Sequence, residues 1–298
     1  MIRLSIIIPH KNSPLLLSRC IESIPDIEEF EVIIVDDNSN DHIVDFINFP
    51  GRNRKYTHIY ETKEGKGAGY ARNIGISYAK GEWLMFADAD DYFTSNFHQD
   101  ILSFLEEKYD LICFPVICLD NKSQYFYSEI NTIINSSVYS NKEKAISIVT
   151  PFAKLIKTNY IKENRISFEE IKYGNDIMFS INAALNTENI YIEKKTTFYV
   201  YNIILNSLSH TISVEALYSR LNTSIRQYKY LKNNNYGSCM RQINSIYLAY
   251  ARRLGKHVFF YTTLKLLFSG LLVYKAKYKN ISKTNYILSN IKSYIRIF

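Results

Sequence analysis

One stretch limits what this chain can become: Gly81-Glu82-Trp83-Leu84-Met85-Phe86-Ala87-Asp88-Ala89-Asp90-Asp91-Tyr92-Phe93. The apolar run Trp83 to Ala87 has the length of a buried strand. It stops at three carboxylates within four residues. Open α/β sheets place their ligands at the carboxyl ends of strands, so an acidic strand end is a candidate site. Asp88 and Asp90 are two apart, and on an extended chain both face one side. Asp91 then points elsewhere or caps the following turn. Converging carboxylates repel, and a hard divalent metal (Mn²⁺ or Mg²⁺) relieves the repulsion while taking substrate phosphates as further ligands. A solvated acidic turn accounts for the same residues, so the rest of the chain has to decide.

The remaining pattern alternates strands with helices. Arg3 to Pro9 reads as a buried first strand, followed by the loop His10-Lys11-Asn12. Ser13-Pro14 then reads as an N-cap and first helical position, before a helix over Leu15 to Ile24. Phe30 to Val35 is a second strand ending in Asp36-Asp37-Asn38-Ser39, and Lys55 to Glu61 a shorter third. A glycine-rich segment, Gly65-Lys66-Gly67-Ala68-Gly69, opens a helix that contains Arg72 and runs to about Lys80. Its spacing fits neither a P-loop nor a dinucleotide fingerprint, so it reads equally as a phosphate contact or a plain loop. Thr94 to Glu107 is predicted helical with Thr94 or Ser95 as its cap, and Leu111 to Leu119 is predicted as one strand, with Gln124 to Tyr127 extending it or pairing with it. Thr132 to Ser140 reads as loop, Phe152 to Ile156 as a short strand and Thr158 to Glu163 as a helix. Gly174-Asn175-Asp176 precedes a helix over Ile177 to Leu185, where Asp176 is either a helix cap or a carboxylate facing a cleft. Ile190 to Tyr201 is strand-like. The expected class is α/β, with a mostly parallel central sheet flanked by helices.

Composition separates this body from the end of the chain. From Glu215 onward there are fifteen Lys/Arg and one acid; the preceding 214 residues carry twenty-one basic and twenty-eight acidic side chains. The division predicted is residues 1–214 as a catalytic domain and 215–298 as a basic helical region. Such regions bind anionic membrane surfaces or nucleic acid. Val258 to Tyr274 is the most apolar segment, but Lys265, Ser269 and Gly270 interrupt it. At 17 residues it falls at or below the minimum for a span, and an in-plane helix with basic flanks fits better. Packing of that helix on the domain, with Lys/Arg as its solvated face, is the plainer alternative. The four cysteines are scattered without zinc-site spacing and read as buried free thiols. The N-terminus enters a strand directly, with no signal-peptide apolar region, so a cytoplasmic protein is expected.

Several separated motifs together resemble family 2 glycosyltransferases. The family's strand-end turn of Pro-Thr-Tyr-Asn type corresponds to Pro9-His10-Lys11-Asn12. Val35-Asp36-Asp37-Asn38-Ser39 corresponds to Val-Asp-Asp-x-Ser, and Ala71-Arg72-Asn73-Ile74-Gly75 to Ala-Arg-Asn-x-Gly. Asp88-Ala89-Asp90-Asp91 has the family's Asp-x-Asp-Asp form, and Gly174-Asn175-Asp176-Ile177-Met178-Phe179 its Gly-Glu-Asp-x-x-Phe form, with Asn175 in place of glutamate. The resemblance covers about residues 3 to 210. It implies the GT-A fold and an inverting, metal-dependent transfer from a nucleotide sugar, with UDP as the expected nucleotide. Pro9, Lys11, Asn12, Asp36 and Asp37 are implied at the base, Lys66, Arg72, Asp88 and Ala89 elsewhere along the nucleotide sugar, and Asp90 with Asp88 at the metal. Asp176 is implied as the base that deprotonates the acceptor hydroxyl. Asp91, Glu169, Glu170 and His210 are candidate acceptor or diphosphate contacts. The expected acceptor is a lipid-linked oligosaccharide or a bacterial surface polysaccharide, as in lipopolysaccharide or capsule assembly. The basic C-terminal helices would then sit at the cytoplasmic face of the membrane.

Two other classes compete. A nucleotidyltransferase-like nucleotide-binding enzyme would need a glycine- and arginine-rich signature after the first strand, where Pro9-His10-Lys11-Asn12 stands. A nucleic-acid-binding protein would use the basic C-terminal region. The acidic body argues against that, and no nucleic-acid partner is expected.

Overall fold

Four apolar runs set the frame of the computed structural model, which describes residues 1–120, 128–204, 211–240 and 244–271. Leu4–His10 (β1), Phe30–Asp37 (β2), Thr57–Thr62 (β3) and Trp83–Phe86 (β4) lie parallel. With Leu111–Cys113 (β6), Lys154–Lys157 (β8) and Ile190–Ile192 (β9) they form a seven-stranded sheet in the order β3-β2-β1-β4-β8-β6-β9. Within it β8 alone runs antiparallel to its neighbours. Both faces of this sheet are buried, so its central strands are apolar without alternation. The α/β, mostly parallel class expected from the sequence holds.

The register places the chemistry. His10 pairs with Asp36, Asp36 with Glu61, Asp37 with Thr62, and Ile7 with Phe86. The carboxyl ends of β1, β2, β3 and β4 therefore share one sheet edge, and the sequence-predicted acids stand along it. Helices Pro14–Glu22 (α1), Ala68–Tyr78 (α2), Thr158–Glu163 (α6) and Asn175–Leu185 (α7) fall where the pattern put them. Ser13 is not a side-chain cap, however: its hydroxyl donates to the Lys11 carbonyl at 2.7 Å.

Two predicted strands each break in the middle, and the breaks have one consequence. Leu111 to Leu119 divides at Pro115, which lacks the N–H to continue a ladder, into β6 and Val116–Asp120 (β7). Ile190 to Tyr201 divides at a turn in which the Glu193 carboxylate accepts from the Lys195 and Thr196 N–H groups at 2.7 and 3.0 Å. It becomes β9 and Tyr199–Ile203 (β10). The parallel pair β6/β9 thus leaves the large sheet and re-forms as the parallel pair β7/β10 in a second sheet. Tyr92–Phe93 (β5) joins that sheet antiparallel to β10. Because residues 92–93 are strand, the next helix starts at Phe97 (α3, Phe97–Leu105) and not at Thr94. The predicted loop over Thr132 to Ser140 is corrected in its first four residues, which belong to Glu129–Asn135 (α4), capped by Ser128; the rest is loop up to Ser140, which with Glu143 forms a capping box on Asn141–Ser147 (α5). The strand expected from Phe152 starts two residues later, after Ala153 at φ 53°. The segment Gln124 to Tyr127 lies outside the described residues.

The chain divides into two compact units, Met1–Leu205 and Asn206–Phe298. In the second, Ser213 caps Val214–Asn233 (α8), and Asn244–Leu254 (α9) and Lys256–Phe268 (α10) follow. Leu217, Leu221, Tyr247, Ala251, Phe259 and Leu266 form its own core. Among the described residues no helix is long and apolar enough to cross a membrane. All four cysteines are buried thiols.

Candidate active site

The loop after β4 is held in shape from two sides. From α1, Arg19 donates Nη2 to the Asp90 carbonyl at 2.5 Å and lays its guanidinium over the Tyr92 ring at 4.7 Å. The Cys20 thiol donates to the Asp88 carbonyl at 3.7 Å, and Ser23 Oγ accepts from the Phe93 N–H at 2.9 Å. From β10, the Tyr199 hydroxyl donates to Asp91 Oδ2 at 2.5 Å and accepts from the Asp88 N–H at 3.1 Å. The Asn202 N–H donates to Asp91 Oδ1 at 2.8 Å. Asp91 is fully buried. Both of its oxygens are committed and α3 begins six residues on, so the helix-cap reading of Asp91 is corrected. Burial, then the charges of Asp88 and Asp90, push its carboxyl well above the ordinary range.

Asp88, Asp90 and Asp91 each bring a carboxylate oxygen within 4.8 Å of the others. With Asp91 occupied, the oxygens open to a ligand belong to Asp88 and Asp90. Asp88 Oδ1 accepts from Arg72 Nη2 at 2.6 Å. Asp90 receives no hydrogen bond from another side chain among the described residues. Burial and then Asp88 raise its carboxyl to about 6, against the pull of Arg19 and Arg72. Such a pair suits a hard divalent cation that also takes phosphate oxygens. Ala89, between them, is half-buried against the main core.

Arg72 ties this loop to α7. The same buried guanidinium donates Nη1 to Asn175 Oδ1 at 2.9 Å and stands 5.2 Å from the Phe168 ring centroid. Asn175, a departure from the expected glutamate, thus has a defined contact through its side-chain carbonyl. The N-terminal half of α2 presses directly on the segment before α7: a Cβ on Gly69 would lie 2.2 Å from the Glu169 carbonyl oxygen, so no larger residue fits. Asn73 pairs with both backbone groups of Phe168, at 3.0 and 2.8 Å. Gly174 starts α7 in the left-handed region at φ 75°, where a side chain is disfavoured. Asp176 is therefore in the first turn and is not the cap. It is half-buried, and no other described side chain hydrogen-bonds its carboxylate. Burial raises its carboxyl; Arg72 and Lys154 oppose the rise and Asp88 adds to it. A helix N-terminus favours the ionised form.

At the other end of the sheet edge, His10 is buried between Asp36 and Phe49. Its Nε2 accepts from the Ser13 N–H at 3.0 Å, so its proton is on Nδ1, donated to Asp36 Oδ2 at 2.7 Å. Ser39 also donates to Asp36, from N–H at 2.8 Å and from Oγ at 2.6 Å. Burial opposes ionisation of Asp36, but the His10 and Ser39 hydrogen bonds outweigh it and hold the carboxyl below its usual range. Asp37 Oδ2 accepts from the Gly67 N–H at 2.9 Å and lies 3.4 Å from Lys11 Nζ, which also donates to the Asp37 carbonyl at 2.8 Å. Asn12, at φ 54°, accepts from Asn40 N–H at 2.8 Å and donates its own N–H to Ser39 Oγ at 2.8 Å. Pro9 is buried in β1 opposite Val35. A cavity of about 760 Å³ adjoins this end, lined by Asp36, Asn38, Ser39, Glu61, Thr62, Lys63 and residues 41–47. Lys66 lies over the Tyr70 ring at 4.6 Å and 3.8 Å from Glu170, and the Glu169 N–H donates to the Asn175 carbonyl at 3.3 Å. His210 lies outside the described residues.

Arg19, Tyr199 and Asn202 were not legible as site residues. Arg19 sits in an ordinary amphipathic helix, and the other two reach Asp91 through a sheet whose existence depends on the strand breaks above. The one available signal was Pro115 inside an apolar run.

The profile of Glycosyl transferase family 2 matches residues 5–165. A poly(ribitol-phosphate) beta-glucosyltransferase of Bacillus spizizenii is 30% identical over 206 residues, 66% of this chain and 32% of the relative. The poly(ribitol-phosphate) beta-N-acetylglucosaminyltransferase TarS of Staphylococcus aureus is 28% identical over 212 residues, 67% of this chain and 35% of TarS. The chain thus spans about a third of the length of these curated relatives. A crystal structure of S. aureus TarS 1–349 in complex with UDP-GlcNAc superposes with a TM-score of 0.61 at 19% identity, covering 91% of this chain and 90% of that one. The fold is therefore the GT-A fold of that structure.

Proposed function

The chain belongs to glycosyl transferase family 2, and on that footing we propose that it transfers a sugar from a UDP-linked donor to an acceptor hydroxyl with inversion. The carrying observation is that one buried guanidinium, Arg72, joins Asp88 of the acidic strand end to Asn175, the residue before Asp176. On this reading the leaving group and the base act at neighbouring positions. The relatives named for UDP-GlcNAc binding and for transfer to poly(ribitol-phosphate) support this donor and a surface-polymer acceptor.

The base and ribose lie at the edge formed by Pro9, Lys11, Asn12, Asp36 and Asp37, with the adjoining cavity. Asp36 shapes that edge through His10 and leaves direct contact to Asp37 and the backbone. Arg72 and Lys66 face the diphosphate. Asp88 and Asp90 would hold a divalent metal, which when bound would supply positive charge against the departing diphosphate. Asp176 removes the proton from the acceptor hydroxyl. The acceptor oxygen then bonds to the anomeric carbon as the bond from that carbon to the diphosphate oxygen breaks, and the nucleoside diphosphate leaves. One displacement gives one inversion. Asp91 keeps the loop in shape, and Glu169 and Glu170 lie on the acceptor side.

The basic second unit supports placement at an anionic membrane surface on the cytoplasmic side, where the nucleotide sugar is supplied. In α10, which begins at Lys256 and carries Lys265, Phe260, Tyr261 and Phe268 are exposed at 38%, 48% and 83%. Exposed aromatics among cations suit a membrane interface. The test of the chemistry is incubation with UDP-GlcNAc, Mn²⁺ and poly(ribitol phosphate), reading the product linkage by NMR. A β-linked sugar is expected; an α-linked product from the α-linked donor would reject single displacement.

A further inference from the structure

On the sheet face against which α7 packs lies a charge that the chemistry above leaves unused. Lys154 begins β8 and is fully buried. Along β8, Leu155 joins the core that holds Trp83 and Met85, so Lys154 points to the opposite sheet face. On that face Phe86 packs against Phe179 of α7, at 5.4 Å between ring centroids. The Lys154 ammonium donates to the Ile148 carbonyl, at the end of α5, at 2.6 Å. An ammonium has three donors, and one carbonyl uses one of them. A sealed cation is costly unless an opposite charge is near. The titratable groups acting on it are Cys113, its cross-strand partner on β6, and Asp176. Those acting on Asp176 are Arg72, Asp88 and Lys154. The residue before Lys154, Ala153, is in the left-handed region at φ 53°, a strained geometry for a side-chain-bearing residue and one that concentrates at functional sites.

We propose that Lys154 is a positioning residue for Asp176: a sealed cation under the head of α7 that holds the carboxylate ionised and ready to accept a proton. The inference rests on the reading of Asp176 as the base. Lys154 keeps its own proton throughout; the acceptor's proton goes to Asp176. Burial, the largest influence, brings the ammonium down to about 8, still charged near neutrality. A purely structural Lys154 would only tie the end of α5, and an apolar residue of similar length would replace it without functional loss.

The test reads ionisation directly, by NMR titration of the full chain with ¹³C-labelled Asp carboxyls and Lys side chains, Asp176→Asn assigning the Asp176 signal. In Lys154→Met the Asp176 midpoint should rise by about one pH unit, and Lys154→Arg should restore it. Linkage demands the reciprocal effect: in Asp176→Asn the Lys154 midpoint should fall by a similar amount. The second measurement stands even if the Met variant does not fold. A Lys154 titration indifferent to Asp176→Asn, or an Asp176 titration indifferent to Lys154→Met, overturns the proposal. Full turnover of UDP-GlcNAc in Asp176→Asn would instead sink the base assignment, whatever the titrations show. Lost turnover with uncoupled titrations sinks this inference alone.

Discussion

The two acidic ends of the site are built in opposite ways. The Asp88–Asp91 loop is braced by Arg19, Cys20 and Ser23 from one side and by Tyr199 and Asn202 from the other. Asp176 receives no hydrogen bond from another described side chain and is steered by the first turn of α7 and by charges around it. A group that must meet a multiply charged diphosphate benefits from a fixed shape, because reorganisation at the moment of reaction is avoided. A group that must gain a proton cannot have its lone pairs committed. The contrast separates holding from reacting.

That contrast can be broken most sharply at Asp176. Asp176→Asn should reduce turnover by about 10³-fold or more, while the variant's melting temperature at neutral pH equals or exceeds that of the wild type. The sign follows from burial. The folded-state carboxyl is raised above 3.8, so the native state binds the extra proton in that window and stability falls as pH rises through it. Asparagine removes this cost. By the same sign, turnover should grow with pH across a range above that of an ordinary carboxylate. A variant that unfolds at neutral pH would return Asp176 to a structural role.

Asp91 should behave in the reverse manner. Asp91→Ala leaves the Tyr199 hydroxyl and the Asn202 N–H without acceptors. Each buried orphan costs about 1–3 kcal/mol, enough to lower the melting temperature by several degrees, checked by calorimetry. An unchanged transition would mean that the loop is held elsewhere. Smaller again is the effect at Asp90. Asp90→Ala should fold normally but lose the thermal stabilisation that Mn²⁺ with UDP gives the wild type. Retained stabilisation would move the metal off this loop. The least is expected of Arg19→Lys, which keeps the charge but loses the guanidinium's fit to the Asp90 carbonyl and the Tyr92 ring. A few-fold weaker Mn²⁺ response is predicted, and none at all would make Arg19 a packing residue.

What the sequence disclosed follows the same division. Strand ends in the large sheet were legible, because an apolar run ending in Asp36-Asp37 or Asp88 marks both the strand and its edge. Asp176 was legible as an acid at a helix start, though cap and base could not be separated until Gly174 took the cap position. The bracing was hidden. Tyr199 and Asn202 reach Asp91 from about a hundred residues away, through a second sheet created by two strand breaks, and long-range pairing leaves no local pattern. α5 drew no expectation although the Ser140-x-x-Glu143 box was a local signal for its start. Lys154 was similarly visible as a lone cation in an apolar strand, and its meaning depended on what α7 placed above it.

The most direct test is calorimetric titration of UDP in the presence of Mn²⁺ against wild type, Asp90→Ala and Asp176→Asn. It needs no acceptor. If the strand end holds the donor and the helix head serves the acceptor, Asp176→Asn binds as the wild type does and Asp90→Ala loses the Mn²⁺-dependent part. Loss of that binding in Asp176→Asn, or its survival in Asp90→Ala, would contradict the division of labour.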